Sequence, residues 1–195
     1  MSEFILFSKE FPFEHFNKKK NLIYLSAAKG SYPHLMRKKE YFERYFCDNF
    51  APFDYTQAAI DNADIIAFGG GDTFNYAGLD KQFNFPKDKT YIGISAGSVL
   101  MGKNIGLSTF FDENEESVPL TFADTAGFGF INAIIKPHWQ RLDNEVRRFI
   151  GQAYTNYYNR ATGGNARFIA IRDNEALWIK PCGSEVWINA PETPI

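Results

Sequence analysis

The chain has 195 residues, 45% of them hydrophobic and 17% aromatic, with 20 phenylalanines, which is enough apolar material for a substantial core and excludes intrinsic disorder. A formal net charge of -2, with Lys18-Lys19-Lys20 as a short solvated run, gives no electrostatic footprint for nucleic acid or an anionic membrane. Two distant cysteines, Cys47 and Cys182, match no metal spacing and argue for reduced thiols in a cytoplasmic protein, with no metal or other cofactor expected.

The length fits one α/β domain over residues 1–195. The opening residues hold too short an apolar run for a signal peptide, and no later segment approaches a membrane span. Phe4–Phe7 reads as a first strand and Asn21–Ala28 as a second. Apolar residues at helical spacing then predict an amphipathic helix over 34–49, followed by a shorter helix over Tyr55–Ala63. Asp64–Phe68 is a near-continuous apolar run, as expected of a central parallel strand, and ends in Gly69-Gly70-Gly71-Asp72-Thr73. A stunted helix from Thr73 to Leu79 leads through the Pro86 loop to Lys89–Ile94, a further strand.

The second half reads as an extended piece at Asn104–Ser108, an acidic loop at Asp112–Glu116 and a glycine-punctuated stretch over Phe122–Phe130. A strand at Ile131–Ile135, a helix over 141–157 and short strands at Phe168–Ile171, Glu175–Lys180 and Glu185–Asn189 complete the chain. The last two form a hairpin turning at Pro181–Ser184. Strand-helix alternation in the first half implies a doubly wound, mostly parallel sheet with helices on both faces and an antiparallel C-terminal hairpin. Functional groups then gather at the carboxyl ends of the strands.

The strand at 89–94 stops at Ser95 and becomes a helix, and Gly93-Ile94-Ser95-Ala96-Gly97 is a G-x-S-x-G pattern. Such an elbow pushes the serine out of a sharp strand-to-helix turn and needs small flanking residues. A serine N-cap beside a packing glycine would leave the same five-residue trace. A serine nucleophile needs a base, and of three histidines, His15 and His34 lie in segments typical of surface or packing residues. His138 follows an apolar strand and Pro137, on the rim expected for Ser95. Glu175 is the preferred carboxylate to orient the imidazole, with Asp112 and Asp124 as alternatives. The glycine turn lacks the remaining residues of a phosphate loop, and its N–H groups, with that of Ala96, suit an oxyanion hole.

Taken together, these segments resemble the peptidase E and cyanophycinase-like serine peptidases of the class I glutamine amidotransferase-like fold. The matching residues are Gly69–Thr73, Gly93–Ser98, Ile135-Lys136-Pro137-His138-Trp139 and Asn174–Ile179, spread in order over roughly residues 20 to 180. The resemblance implies Ser95 as nucleophile, His138 as base, Glu175 as acid, oxyanion contacts from Gly70, Gly71 and Ala96, and Asp72 and Arg141 among the substrate-binding residues. It implies hydrolysis of short peptides, with dipeptides beginning in aspartate as the class preferred by peptidase E proper, and no metal. The family's basic specificity residue is missing from Leu107–Asp112; Arg141 or Arg147 would have to supply that charge. The segment 75–89 is shorter than the family's, which leaves a non-catalytic peptide- or metabolite-binding protein as the alternative, and an esterase or amidase on the same residues as a third. Phe110 and Phe111 suit either a homodimer contact or a pocket wall.

Overall fold

The computed structural model describes residues 1–14, 16–27, 32–76, 78–110, 125–139 and 144–190. Five parallel strands form the heart of the molecule. They are β1 (Glu3–Phe7), β2 (Lys19–Ala27), β3 (Cys47–Pro52), β4 (Ile65–Gly71) and β5 (Thr90–Ile94). Two further strands, β8 (Glu175–Ile179) and β9 (Glu185–Asn189), join them antiparallel, giving the order β3-β2-β4-β5-β1-β8-β9. A separate parallel pair is made by β6 (Ala133–Lys136) and β7 (Arg167–Ala170). This is the mostly parallel α/β architecture expected, closed by the antiparallel hairpin, in which Gly183 adopts φ 83 at the turn.

Alternation along the central strands divides the core in two. Ile65 and Ala67 of β4 face one cluster with Ile5, Phe7, Ile92 and Ile94, covered by Phe42 and Phe46 at the end of α1 (Tyr32–Tyr45). Ile66 and Phe68 face the other, with Leu6, Tyr91 and Leu177, where Ile60 of α2 (Gln57–Asn62), Leu100 of α4 (Ala96–Leu100) and Ala133 and Ile135 of β6 pack. Burial on both faces is why β4 reads as an unbroken apolar run rather than an alternating one. The long helix α5 (Asn144–Thr162) packs Ile150 and Tyr154 against Ile134 and Leu107 on the outside of the small sheet.

Three elements differ from expectation. The helix expected over 34–49 ends at Tyr45, and Cys47–Pro52 is an edge strand pairing with β2. Its side chains are mostly half-buried or exposed, so the apolar spacing that marks α1 runs into β3 without a visible break. Asn104–Ser108 is not extended: Asn104 makes an isolated bridge to Ala126, and a 3₁₀ turn, Gly106–Phe110, follows. The segment after the glycines holds a 3₁₀ turn, Thr73–Tyr76, and the short helix α3 (Leu79–Gln82). Among the described residues, no helix is long and apolar enough to cross a membrane.

Candidate active site

The carboxyl ends of β4, β5 and β1 lie side by side, and Ser95 follows β5 directly. Ser95 has φ 53 and ψ -112, a conformation L-residues rarely adopt and one that costs about 1–3 kcal/mol. The turn is held from several sides. The Ser95 N–H donates to the carbonyl of Phe7 at 2.9 Å, the Ser98 and Val99 N–H groups donate to the Ser95 carbonyl, and the buried Ser98 hydroxyl lies 2.7 Å from Phe7 O and 2.8 Å from Gly93 O. Its two glycines are there because nothing else fits. A Cβ on Gly97 would meet the carbonyl oxygen of Phe68 at 2.1 Å, and one on Gly93 would lie 2.8 Å from the backbone of Gly97 and Ser98. The elbow therefore packs against β4 at backbone distance.

His138 reaches the same place from β6. After Lys136, the chain stays paired to the segment beyond β7: Ile171 N–H donates to Lys136 O at 3.0 Å and Trp139 N–H to Ile171 O at 3.2 Å. His138 lies between those two bonds with φ 57. Among the described residues only Tyr55, Ser95 and His138 are non-glycine residues with positive φ, so two of the three strained positions meet here. The imidazole Nε2 lies 2.8 Å from Ser95 Oγ. Its Nδ1 lies 2.6 Å from Asp173 Oδ1. Both His138 and Asp173 side chains are about one-fifth exposed.

The carboxylate at the imidazole is thus Asp173, not Glu175. Glu175 turns back on its own loop: its Oε2 accepts from the Arg172 N–H at 3.2 Å, and its Oε1 lies 3.4 Å from the Arg172 guanidinium. The turn that reverses the chain from β7 into β8, closed by Glu175 N–H to Arg172 O at 3.1 Å, gives Glu175 a cationic partner and leaves Asp173 aimed at His138. The alternatives Asp112 and Asp124 lie outside the described residues, as do Arg141 and Phe111.

Gly70 sits over the serine. A Cβ placed on it would lie 3.6 Å from Ser95 Cβ and 4.0 Å from Ser95 Oγ. Gly71 follows with φ 128, open only to glycine without strain. Ala96, at the first position of α4, has an N–H with no acceptor one turn back within its own helix. Asp72, expected among the oxyanion and substrate contacts, stands at the start of the next turn. Its carboxylate accepts the Phe74 N–H at 2.9 Å and starts the 3₁₀ turn, while the buried Tyr76 hydroxyl lies 3.0 Å from both Leu25 O and Gly69 O and ties that turn back to the strand ends.

One residue absent from the sequence reading also belongs to this cluster. Ser8, immediately after β1 and only 1% exposed, accepts the His138 backbone N–H at 2.5 Å, donates to Asp173 Oδ1 at 2.7 Å, and lies 3.1 Å from His138 Nδ1. Nothing in its local sequence marks it, since a serine closing a strand is commonplace.

The family model described as peptidase family S51 matches residues 13–186. Among solved structures, a 1.5 Å crystal structure named "Putative Peptidase E Protein from Listeria monocytogenes EGD-e" is 20% identical, with a TM-score of 0.65 over 98% of this chain and 100% of that one, a likeness of fold. No curated protein matches the chain. With a matched family model spanning nearly the whole chain and a serine, an imidazole and a carboxylate in series at the strand ends, the chain belongs to peptidase family S51 and is a serine peptidase of the peptidase E-like kind.

Proposed function

We propose that the protein hydrolyses short peptides as a dipeptidase or exopeptidase, with Ser95 as nucleophile, His138 as general base and acid, and Asp173 as the orienting carboxylate. The observation that carries this reading is the unbroken chain from Ser95 Oγ through both imidazole nitrogens to Asp173 Oδ1, at 2.8 and 2.6 Å. A carboxylate accepting from Nδ1–H leaves Nε2 with its lone pair facing the serine hydroxyl, the tautomer that general-base catalysis requires.

In the proposed reaction, Ser95 Oγ attacks the peptide carbonyl carbon while its proton passes to Nε2. The negative charge that develops on the carbonyl oxygen is met by backbone N–H groups of the Gly70–Gly71 turn and of Ala96. Collapse of the tetrahedral species breaks the C–N bond as Nε2 gives the proton to the leaving amine. Water then attacks the acyl-serine with His138 again as base, releasing the acid and restoring the hydroxyl. Asp173 stays ionised throughout and stabilises the imidazolium.

A panel of dipeptides with and without N-terminal aspartate, assayed on the wild-type chain and on Ser95→Ala, tests both halves. The reading expects cleavage of at least one dipeptide and a loss of about 10⁴-fold or more in kcat on substitution. Turnover undiminished in Ser95→Ala would refute the mechanism. Equal activity on aspartyl and non-aspartyl dipeptides would rule out the preference for N-terminal aspartate that the family resemblance implies and leave the mechanism standing.

A further inference from the structure

The register of the sheet fixes which residues flank Ser8. In the parallel pairing of β1 with β5, Phe7 lies opposite Ile94, so the next residue along, Ser8, is level with Ser95. In the antiparallel pairing of β1 with β8, Phe7 lies opposite Ala176, so Ser8 is also level with Glu175 and beside the turn that carries Asp173. The residue just beyond β1 therefore lies between the serine elbow and the acid turn. From there its side chain reaches the third component, His138.

A hydroxyl has one proton to donate and two lone pairs to accept with. At Ser8 the proton goes to Asp173 Oδ1, and one lone pair takes the His138 backbone N–H. The acceptor Oδ1 also faces His138 Nδ1, so the same carboxylate oxygen is shared by the imidazole and by Ser8. The result is a closed ring: His138 backbone, Ser8 hydroxyl, Asp173 carboxylate, His138 ring. It grips His138 at both ends, and the backbone end has φ 57, a conformation that needs an external contact to persist.

We propose, on the footing of the Ser95–His138–Asp173 reading, that Ser8 is a positioning residue of the relay: it holds the backbone of His138 and the carboxylate of Asp173 in one geometry, so that Nε2 stays on line with Ser95 Oγ. It touches neither substrate nor the reacting atoms. Its effect on rate passes through the imidazole, where a displacement of about 1 Å costs about 100-fold.

The test is Ser8→Ala in the full-length protein, which removes a single oxygen. The variant is read by kcat and KM on a cleaved dipeptide, by the rate of Ser95 labelling with a fluorophosphonate, and by the downfield proton resonance of His138 Nδ1 at acid pH, recorded also in the Ser95→Ala background. The proposal expects a fall of about 10- to 100-fold in kcat with KM little changed, a matching fall in labelling rate, and a shifted or broadened Nδ1 proton, in a chain that still melts cooperatively. Unchanged kcat and labelling in the folded variant would overturn it. So would a rise in KM alone, or an Nδ1 proton identical to that of the parent. If Ser8→Ala is silent while Ser95→Ala is inactive, only this inference fails; if Ser95→Ala keeps its activity, the reading beneath it fails instead. Should Ser8→Ala not fold, the Nδ1 resonance of Ser8→Gly in the same background decides by the same criterion.

Discussion

Two carboxylates separated by one residue show how finely a site depends on its turn. Asp173 and Glu175 both lie beside the rim, but only Asp173 meets the imidazole, because Arg172 and its N–H occupy Glu175. Asp173→Asn would give the Nδ1 position an amide that cannot enforce the reactive tautomer, and kcat should fall about 10⁴-fold, whereas Glu175→Gln should stay within a few-fold of wild type. Steady-state kinetics on one cleaved dipeptide checks both, and the reverse ranking would restore Glu175 to the acid's place. Gly70→Ala separates chemistry from folding in a second way. Its new methyl would make ordinary contact with Ser95, at 3.6 Å from Cβ, so the melting temperature should hold, while under the proposed reaction kcat drops about 10²–10³-fold because the methyl intrudes beside Ser95 Oγ. Ser95 and His138 were legible in the sequence because an elbow motif and a histidine after a strand and a proline each carry a local signature. The carboxylate beside the imidazole lies two positions before the one preferred from the sequence, since spacing says nothing of which carboxylate a neighbouring arginine will take. Ser8 was invisible, because its role arises from strand register between segments distant in the chain.

At the level of elements, the site rests on the close approach of α4 to β4. Gly97 permits it, with the Phe68 carbonyl 2.1 Å from where a Cβ would be. The obstacle is backbone rather than a movable side chain, so Gly97→Ala should lower the unfolding free energy by about 3 kcal/mol, the upper end of usual overpacking costs, and displace Ser95 with it. Urea denaturation measures this, and an unchanged midpoint would mean that the elbow is not clamped as described. Four of the five central parallel strands, β1, β2, β4 and β5, were readable as apolar runs, and so was the C-terminal hairpin. The strand β3 was not, because an edge strand with mostly exposed side chains, Cys47-Asp48-Asn49-Phe50-Ala51-Pro52, lacks both the alternation of a half-buried strand and the run of a buried one. The small β6–β7 sheet illustrates the same limit from the other side. Its strands were visible, but their separation from the main sheet, which is what delivers both His138 and Asp173, is a matter of topology.

The whole molecule has an alkaline weakness written into its aromatic core. Burial pushes the Cys47 thiol and the Tyr154 phenol each up to about 12, and raises the phenols of Tyr24, Tyr41 and Tyr91 well above the usual range. In the unfolded chain these groups would ionise near their ordinary values of about 8.5 for the thiol and about 10 for the phenols. The folded state therefore retains protons that unfolding releases, and its stability is complete below about pH 8.5 and falls as pH rises toward 12. Denaturation midpoints should decline steadily above about pH 9, and a flat or rising profile there would contradict the burial of these groups. In the native protein at neutral pH, alkylation should go to exposed Cys182, whose thiol is lowered by its hydrogen bond with Ser184, and should spare Cys47 until the chain unfolds.

All of this converges on whether Ser95 is a nucleophile activated by the imidazole beside it. Intact-mass and peptide mapping after treatment with a fluorophosphonate reads that directly. The structure predicts one covalent adduct per chain, mapped to Ser95, formed at a rate that collapses in Asp173→Asn and absent from Ser95→Ala. A folded wild-type protein that acquires no adduct, or acquires it at another residue, would contradict the account.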